Sequence, residues 1–178
     1  MNLHRITLIA VALLALSACQ QQAATAPAAP VAATPTMPAP TPVADARAVI
    51  ADYMAAWNAH DGDKAGSYFA EDGVYLDASV GTPQTGRQAA TDNVIKVFLT
   101  AVPDCLWTMR GDPIATADGV AFEWTFTGTN TGDWSAETKA SGKTMSFNGV
   151  SFVRVADGKI TYQGDYYDAA TLNKQMGW

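Results

Sequence analysis

The sequence predicts an α+β fold, a cone-shaped α+β roll in which N-terminal helices pack on a strongly curved, mostly antiparallel sheet. Two long helical patterns come first in the domain, and four strand patterns follow one another toward the C-terminus. Helices in one run and strands in the next are typical of this class. The strands alternate apolar and polar residues, which indicates one buried and one solvated face. A sheet curled over a helix encloses a hollow, and such a hollow is a natural apolar pocket.

Residues 1–18 have the pattern of a signal peptide. A short basic start precedes the apolar run 6–16, which is too short to cross the ~30 Å hydrocarbon core of a bilayer. The run ends in Leu16-Ser17-Ala18-Cys19, which resembles the lipobox of bacterial lipoproteins, where the cysteine is lipidated. We therefore predict that a lipid anchor on Cys19 holds the protein to a membrane. The alternative is an ordinary signal peptide followed by a chance cysteine.

Residues 19–43 join the predicted anchor to the folded domain. After Cys19 this stretch contains no charged and no aromatic residue, and it is rich in Ala, Pro, Thr and Gln. Such a composition cannot bury enough surface to offset its ordering entropy, so a disordered linker is predicted. The domain is predicted over 44–178. A residue other than Asp after the lipidated cysteine, here Gln20, favours the outer membrane. We therefore expect the protein in the bacterial cell envelope, facing the periplasm.

The helical half of the domain opens with a predicted helix at 45–60. Apolar residues recur in it at helical spacing, and Asp61-Gly62 ends it. A second long helix is predicted at 86–101 for the same reason, and Pro103-Asp104 ends it. Between the two helices we predict a short helix at 63–70, a strand at 74–77 and a loop at 81–86.

The strand half of the domain is marked by period-two alternation. The strongest alternation lies at 119–129, and a polar loop that contains Trp134 follows it. Asp157-Gly158 is a hairpin turn signal between the last two strands. The predicted elements are strands at 105–110, 119–129, 143–155 and 159–167, and a terminal helix at 168–176.

Charge and residue inventory exclude several classes of function. The formal net charge is −6 and no run of basic residues is present, which argues against binding nucleic acid or anionic lipid through bulk charge. His60 is the only histidine beyond the signal peptide, and there is no Cys/His cluster, so no metal site is predicted. The sequence has no glycine-rich phosphate loop and no nucleophile elbow, and no cofactor is predicted. With Cys19 lipidated, Cys105 lacks a disulfide partner and is either a buried inert thiol or a reactive one.

Short segments spaced along the domain carry a family resemblance. They are Asp104, the run 121–132 (AFEWTFTGTNTG), Ser141-Gly142-Lys143, Asp157-Gly158-Lys159-Ile160, and Asp168, Leu172, Gln175 and Gly177. Together these segments resemble the SnoaL-like polyketide cyclase family of the nuclear transport factor 2-like superfamily, over about residues 45–178. The resemblance implies the roll fold. It implies less about activity, because this fold hosts cyclases, isomerases, hydrolases and binding domains.

The resemblance also implies a catalytic aspartate, Asp168. In the family's cyclases an aspartate just after the last strand acts as general acid and base, and its pKa must then be raised by desolvation. The residues predicted to share the apolar face of that strand are Ile160, Tyr162, Tyr166 and Asp168. The alternative for Asp168 is that it only caps the terminal helix. Asp165 is the second candidate for a catalytic acid; it has the opposite parity and is predicted to face solvent, unless a bulge at Gly164 turns it inward.

Other residues are candidates for lining the hollow. They are Tyr53, Trp57, Tyr75, Asp77, Trp124, Asn130, Phe147 and Tyr166. Plain core packing is the alternative for the aromatic residues, and turn formation is the alternative for Asp77. The family often has His at the position of Asn130, and asparagine can donate hydrogen bonds but cannot carry a proton. Trp134 is either a pocket lid, a partner contact or a half-buried anchor of its loop.

Two classes of function follow from this reasoning. In the first, an envelope lipoprotein uses its pocket to bind a small apolar ligand, or uses its open sheet face to form a homodimer. In the second, the domain is a cofactor-independent acid/base enzyme of cyclase or isomerase type, in which Asp168 moves a proton on a small carbonyl compound and a tyrosine such as Tyr53 or Tyr75 stabilises the enolate oxygen. A hollow filled by side chains would exclude the enzyme. Burial of the Asp168 carboxylate beside an open hollow would favour it.

Overall fold

The structure is a computed structural model, and it describes residues 43–116 and 119–178. The predicted signal peptide, the lipidation site Cys19 and the linker up to residue 42 lie outside the described residues, so the anchor and the location stay predictions. No helix within the described residues is long and apolar enough to cross a bilayer.

The helices form where the apolar spacing predicts them. The first, α1, presents Ile50, Tyr53 and Trp57 to the core, and each of them is 3% exposed or less. The second long helical pattern is interrupted by a π-helical turn, so that it consists of three consecutive segments. The helices are α1 (Val43–Asn58), α2 (Gly62–Gly66), α3 (Arg87–Ala90), the π-helical turn (Thr91–Ile95), α4 (Lys96–Ala101) and α5 (Ala169–Met176).

The six strands form one sheet in the order β2-β1-β6-β5-β4-β3. All neighbours pair antiparallel except β1 and β6, which are parallel. The predicted run of four antiparallel strands is thereby confirmed, as is the α+β roll. The strands are β1 (Phe69–Asp77), β2 (Gln84–Thr85), β3 (Leu106–Thr116), β4 (Gly119–Thr129), β5 (Thr144–Ala156) and β6 (Lys159–Tyr167). The first strand is longer than predicted, and β2 lies in the predicted loop at 81–86.

The core lies between α1 and the concave face of the sheet. Trp107 of β3 is its centre: its ring centroid is 5.7 Å from that of Tyr53, 5.6 Å from that of Trp57 and 6.1 Å from that of Trp124. Aromatic rings in edge-to-face contact fill space with defined geometry. The alternation predicted for β4 is confirmed, because every second residue from Val120 onward is buried along that strand.

A β-bulge in β6 decides which of its side chains enter the core. Arg154 of β5 pairs with Tyr162, but the next residue, Val155, pairs with Ile160, so Thr161 is an extra residue in β6. One inserted residue exchanges the two faces of the strand beyond it. The prediction that one face carries Ile160, Tyr162, Tyr166 and Asp168 is therefore wrong beyond Ile160.

Candidate functional site

The candidate site is built around a buried carboxyl group, that of Asp165. Beyond the bulge, β6 directs Gln163 and Asp165 inward, at 0% and 7% exposure. The prediction that Asp165 faces solvent is wrong. The alternative was that a bulge at Gly164 turns the Asp165 side chain inward. The side chain does point inward, but the bulge lies at Thr161.

Four hydrogen bonds hold the Asp165 carboxyl group. The Tyr75 hydroxyl donates to Oδ2 at 2.7 Å, and the Ser151 hydroxyl donates to Oδ1 at 2.6 Å. Gln163 Nε2 donates to both oxygens, at 3.1 and 3.0 Å. The Trp124 indole N–H donates to Ser151 Oγ at 2.8 Å and so orients that hydroxyl. All of these donors are uncharged.

Burial raises the pKa of Asp165 to about 6, because desolvation penalises the ionised form. The hydrogen bonds from Ser151, Tyr75 and Gln163 act in the opposite direction, and the negative charge of Asp77 raises the pKa further. A carboxyl group with a pKa near neutrality can both donate and accept a proton in the physiological range.

Three buried polar atoms beside this network have no hydrogen-bond partner among the described residues: Tyr53 Oη, Trp57 Nε1 and Gln163 Oε1. Burial and the charge of Asp165 raise the pKa of Tyr53, so its hydroxyl stays protonated and able to donate. Buried polar groups are normally paired, so an unpaired one calls for a physical explanation, such as a catalytic role, stored strain or a bound water molecule or ion.

The second buried carboxyl group is that of Asp77, at the C-terminal end of β1. It is 5% exposed and lies opposite Asp165 in the parallel ladder. Its Oδ1 accepts from the backbone N–H groups of Ser79 and Val80, at 2.9 and 3.3 Å, and its Oδ2 accepts from the Tyr167 hydroxyl at 3.0 Å. Burial raises the pKa of Asp77 above its ordinary value. Both alternatives from the sequence hold: Asp77 forms the turn and also faces the hollow.

The hollow itself has two parts. The inner cavity measures about 30 Å³, which is room for one or two water molecules. The outer pocket measures about 610 Å³. Asp77, Phe98 and Tyr167 line both parts, so the inner cavity and the outer pocket adjoin at these residues. The inner cavity is lined by Trp57, Tyr75, Asp77, Phe98, Trp107, Trp124, Phe126, Phe147, Asp165 and Tyr167.

Five of the predicted pocket residues line the inner cavity: Trp57, Tyr75, Asp77, Trp124 and Phe147. Tyr53 is completely buried next to them. Tyr166 is 45% exposed on the opposite face of the sheet, where its ring meets that of Phe152. The prediction that Tyr166 lines the hollow is wrong, because the bulge at Thr161 turns Tyr166 to the outer face of the sheet.

Asn130 is a structural residue rather than a pocket residue. Its amide nitrogen donates to the carbonyls of Ala101 and Gly132, at 2.9 and 2.7 Å, and its Oδ1 accepts from the Ser141 N–H at 2.8 Å. Asn130 is fully buried and joins the end of α4 to the two ends of the long loop. The expectation that it faces the hollow is wrong, since all its contacts are to backbone.

Asp168 caps α5 and does not enter the hollow. Its Oδ1 accepts from the Thr171 N–H at 2.9 Å and its Oδ2 accepts from the Thr171 hydroxyl at 2.6 Å. These bonds lower the pKa of this exposed carboxyl group. The capping alternative is confirmed, and the expectation of a desolvated Asp168 on the apolar face is wrong. Asp165 occupies the place that the sequence reasoning gave to Asp168.

Sequence reasoning did not identify Ser151, Gln163 and Tyr167, which hold the two carboxyl groups. The signal that could have found Ser151 is its parity with Phe147 on β5. Gln163 and Tyr167 have the parity of Asp165, and only the bulge brings them inward. Trp134 is half-buried and lines the outer pocket beside Phe98, with 5.0 Å between the ring centroids. Among residues 43–116 and 119–178, no group of three or more Asp, Glu, His or Cys could hold a metal ion.

Comparison with known proteins gives the family and the fold. Residues 50–163 match the SnoaL-like domain family, and no curated protein matches the chain. A putative polyketide cyclase from Xanthomonas campestris pv. campestris is 26% identical, with 75% of this chain and 98% of that chain covered and a TM-score of 0.61. A putative SnoaL-like polyketide cyclase from Jannaschia sp. CCS1 is 14% identical, with 76% and 94% covered and a TM-score of 0.67.

A third solved structure shares the fold. It is a hypothetical protein with a ketosteroid isomerase-like fold from Catenulispora acidiphila DSM 44928, in complex with trimethylamine. It is 22% identical, with 72% of this chain and 92% of that chain covered and a TM-score of 0.61. These likenesses agree with the helices-then-sheet roll described above.

Proposed function

Because the chain belongs to the SnoaL-like domain family, whose fold surrounds a hollow, we propose that this domain binds a small, largely apolar organic molecule. The observation that carries the proposal is the outer pocket of about 610 Å³ that shares three lining residues with the inner cavity. Pockets of roughly 300–1,000 Å³ with apolar walls and a few polar groups are typical ligand sites.

The lining favours an apolar body with a small number of polar contacts. Valine, phenylalanine, tryptophan and leucine side chains make up much of the wall, and the outer pocket is lined by Asp77, Val80, Thr82, Gln84, Asn93, Val94, Val97, Phe98, Trp134, Ser135, Thr138, Tyr167, Leu172 and Trp178. The inner cavity is far too small for such a body. We therefore place the body of the ligand in the outer pocket, with at most one or two of its atoms reaching past Phe98 toward Asp165. The solved structure of the Catenulispora acidiphila protein, which shares this fold and is in complex with trimethylamine, is a precedent for a small organic ligand.

The proposed setting is the cell envelope. The lipobox-like sequence ending at Cys19 and the uncharged linker after it would tether the domain to the outer membrane on its periplasmic side. A tethered binding domain needs no cofactor, and the ligand would reach it from the periplasm. Metabolic labelling with an alkyne fatty acid tests the anchor: the wild-type chain should be labelled and the Cys19→Ala chain should not.

Filling the outer pocket tests the binding proposal. Val97→Trp adds a bulky ring to the pocket wall, whereas Leu106→Trp adds the same ring at an exposed site that lines neither part of the hollow. We expect the full chain and its Leu106→Trp variant to bind the neutral fluorophore N-phenyl-1-naphthylamine equally, and the Val97→Trp variant to bind it at least about tenfold more weakly. Equal binding by all three proteins would refute the proposal.

One specific observation favours a second candidate, acid/base catalysis. The Asp165 carboxyl group is buried in the lining of the inner cavity, and its pKa is about 6. The hydroxyl groups of Tyr53 and Tyr75 lie beside it. In this candidate the Asp165 carboxylate removes a proton from the carbon next to a carbonyl group, a tyrosine hydroxyl stabilises the enolate oxygen, and the carboxyl group returns the proton to the enolate. No cofactor is required for that reaction.

The two aspartates provide a matched test of the catalytic candidate. Small cyclic ketones incubated with the protein in deuterium oxide would exchange their α-protons, which NMR measures. Asp165→Asn should abolish the exchange that exceeds the uncatalysed rate, whereas Asp168→Asn should retain it, because Asp168 only caps α5. Exchange that survives in Asp165→Asn and disappears in Asp168→Asn would reverse the assignment.

A further inference from the structure

Among the described residues, those that line the two parts of the hollow include acidic side chains but no basic ones. Asp77 and Asp165 are the acidic ones, and no Lys, Arg or His of residues 43–116 and 119–178 belongs to either lining. The two carboxyl groups extend from directly opposed positions of β1 and β6. Their negative charges are therefore concentrated where the inner cavity adjoins the outer pocket.

No cation of the described protein neutralises these charges. Asp77 accepts from two backbone N–H groups and the Tyr167 hydroxyl, and Asp165 accepts from two hydroxyls and an amide. The ion pairs found within residues 43–116 and 119–178 involve other carboxyl groups, all of them on the surface. Buried carboxylates are usually paired with a cation. A positively charged ligand would therefore provide the missing counter-charge.

Three aromatic rings, those of Phe98, Trp134 and Trp178, line the same outer pocket as Asp77. The Phe98 and Trp134 centroids are 5.0 Å apart at an interplanar angle of 86°, and the Trp134 and Trp178 centroids are 6.0 Å apart at 75°. Rings that stand nearly at right angles wall a space on adjoining sides. The electron-rich faces of Trp, Tyr and Phe attract cations, and such rings form the cages that recognise quaternary ammonium groups.

We infer that the outer pocket selects a ligand with a positive charge on an apolar body, such as a tertiary or quaternary ammonium group. The methylated nitrogen lies among Phe98, Trp134 and Trp178, and Asp77 lies at the inner end of the same pocket. This inference rests on the proposed binding function and names the ligand class. Long-range attraction from the negative net charge of −6 acts in the same direction.

Charge selection has a second, measurable consequence. The pKa values of Asp77 and Asp165 are raised by burial, and a cation placed nearby favours the ionised carboxylates. Binding of a permanent cation near pH 6 therefore releases protons. Calorimetry in two buffers that differ in ionisation enthalpy measures the number released.

Choline and 3,3-dimethylbutan-1-ol separate charge from shape, because the second replaces the trimethylammonium group with a neutral tert-butyl group. NMR titration of the full chain should give choline the tighter binding by about tenfold. Asp77→Asn should reduce that preference to within about threefold. Asp157→Asn, which removes one charge from an exposed hairpin turn, should leave it unchanged.

The outcomes distinguish the two proposals. Equal binding of the two probes, weakened together by Val97→Trp, would leave the binding function standing and overturn charge selection. Binding of neither probe, or binding indifferent to Val97→Trp, would overturn both. If Asp77→Asn fails to fold, proton release by wild-type protein decides the matter: release near pH 6 supports charge selection, and no release overturns it.

Discussion

Replacing Asp165 with asparagine should change how the stability of the domain depends on pH. The pKa of Asp165 is about 6 in the folded protein, against an ordinary value of 3.8. Between these pH values the folded state therefore binds more protons than the unfolded state, so the free energy of unfolding falls as pH rises. Below pH 3.8 the effect vanishes, and above about 6 it is complete.

The magnitude follows from the two pKa values. Each pKa unit corresponds to about 1.4 kcal/mol, so complete ionisation of Asp165 lowers the free energy of unfolding by roughly 3 kcal/mol, of which about 2.4 kcal/mol falls between pH 4 and pH 8. Asparagine has nearly the same shape and no charge. The Nδ2 amide group of the introduced asparagine would face the Nε2 amide group of Gln163, and both are donors. Gln163 can rotate its side-chain amide and accept with Oε1, which has no partner among the described residues of the wild-type protein. We therefore expect Asp165→Asn to fold and to lose this pH dependence.

Urea denaturation followed by tryptophan fluorescence, repeated between pH 4 and pH 8, measures the effect. The stability of Asp165→Asn minus that of wild type should increase by about 2.4 kcal/mol across this range. Asp168→Asn is the control, because capping lowers the pKa of Asp168, so the stabilisation from its ionised form is nearly complete above pH 4 and the difference from wild type should stay almost constant up to pH 8. Parallel profiles for wild type and Asp165→Asn would refute the assignment of a raised pKa to Asp165.

Three further predictions concern other parts of the domain. Asp168→Ala removes the cap on the Thr171 N–H, so hydrogen exchange should become faster in the first turn of α5 and remain unchanged in the sheet. Cys105 is buried and its pKa is raised to about 11, so it should resist iodoacetamide at pH 8 until the protein is denatured, whereas modification of the folded protein would contradict its burial. Phe152 and Tyr166 expose apolar area on the outer sheet face, so Phe152→Glu should abolish any concentration-dependent dimer seen by analytical ultracentrifugation, and a dimer that persists would place the interface elsewhere.

The fold could be predicted from the sequence because most elements carry their own pattern. Strand β4 alternates without interruption, and α1 keeps one apolar face from Ile50 to Trp57, so neither depends on a distant contact. The short strand β2 could not be predicted, because its two residues gain their conformation only by pairing with β1. The π-helical turn within the second long helix carries no composition that distinguishes it from a continuous α-helix.

On the last three strands, the site was predicted correctly only where the alternation is regular. Trp124 and Phe147 were placed correctly because the alternation along β4 and β5 is unbroken. The acidic residue was misplaced because one extra residue, Thr161, reverses the faces of β6. A bulge is set by pairing with the neighbouring strand, and Thr161 has no glycine or proline beside it to mark the break. The error therefore affected every residue of β6 after the bulge.

The arrangement around Asp165 works against stability at neutral pH. The fold buries a carboxyl group that asparagine could replace and places a second one opposite it at Asp77, and no basic side chain of the part of the chain that the structure describes belongs to either lining. Gly149 is part of the same construction, because a Cβ atom there would lie 2.3 Å from the Trp124 ring, whose indole N–H orients Ser151 toward Asp165. Strongly perturbed carboxyl groups in a cleft are characteristic of functional sites. Because the catalytic candidate and the inferred charge selection both use this negative charge, the stability lost to Asp165 is the physical reason to seek a ligand or a reaction here rather than a purely structural role.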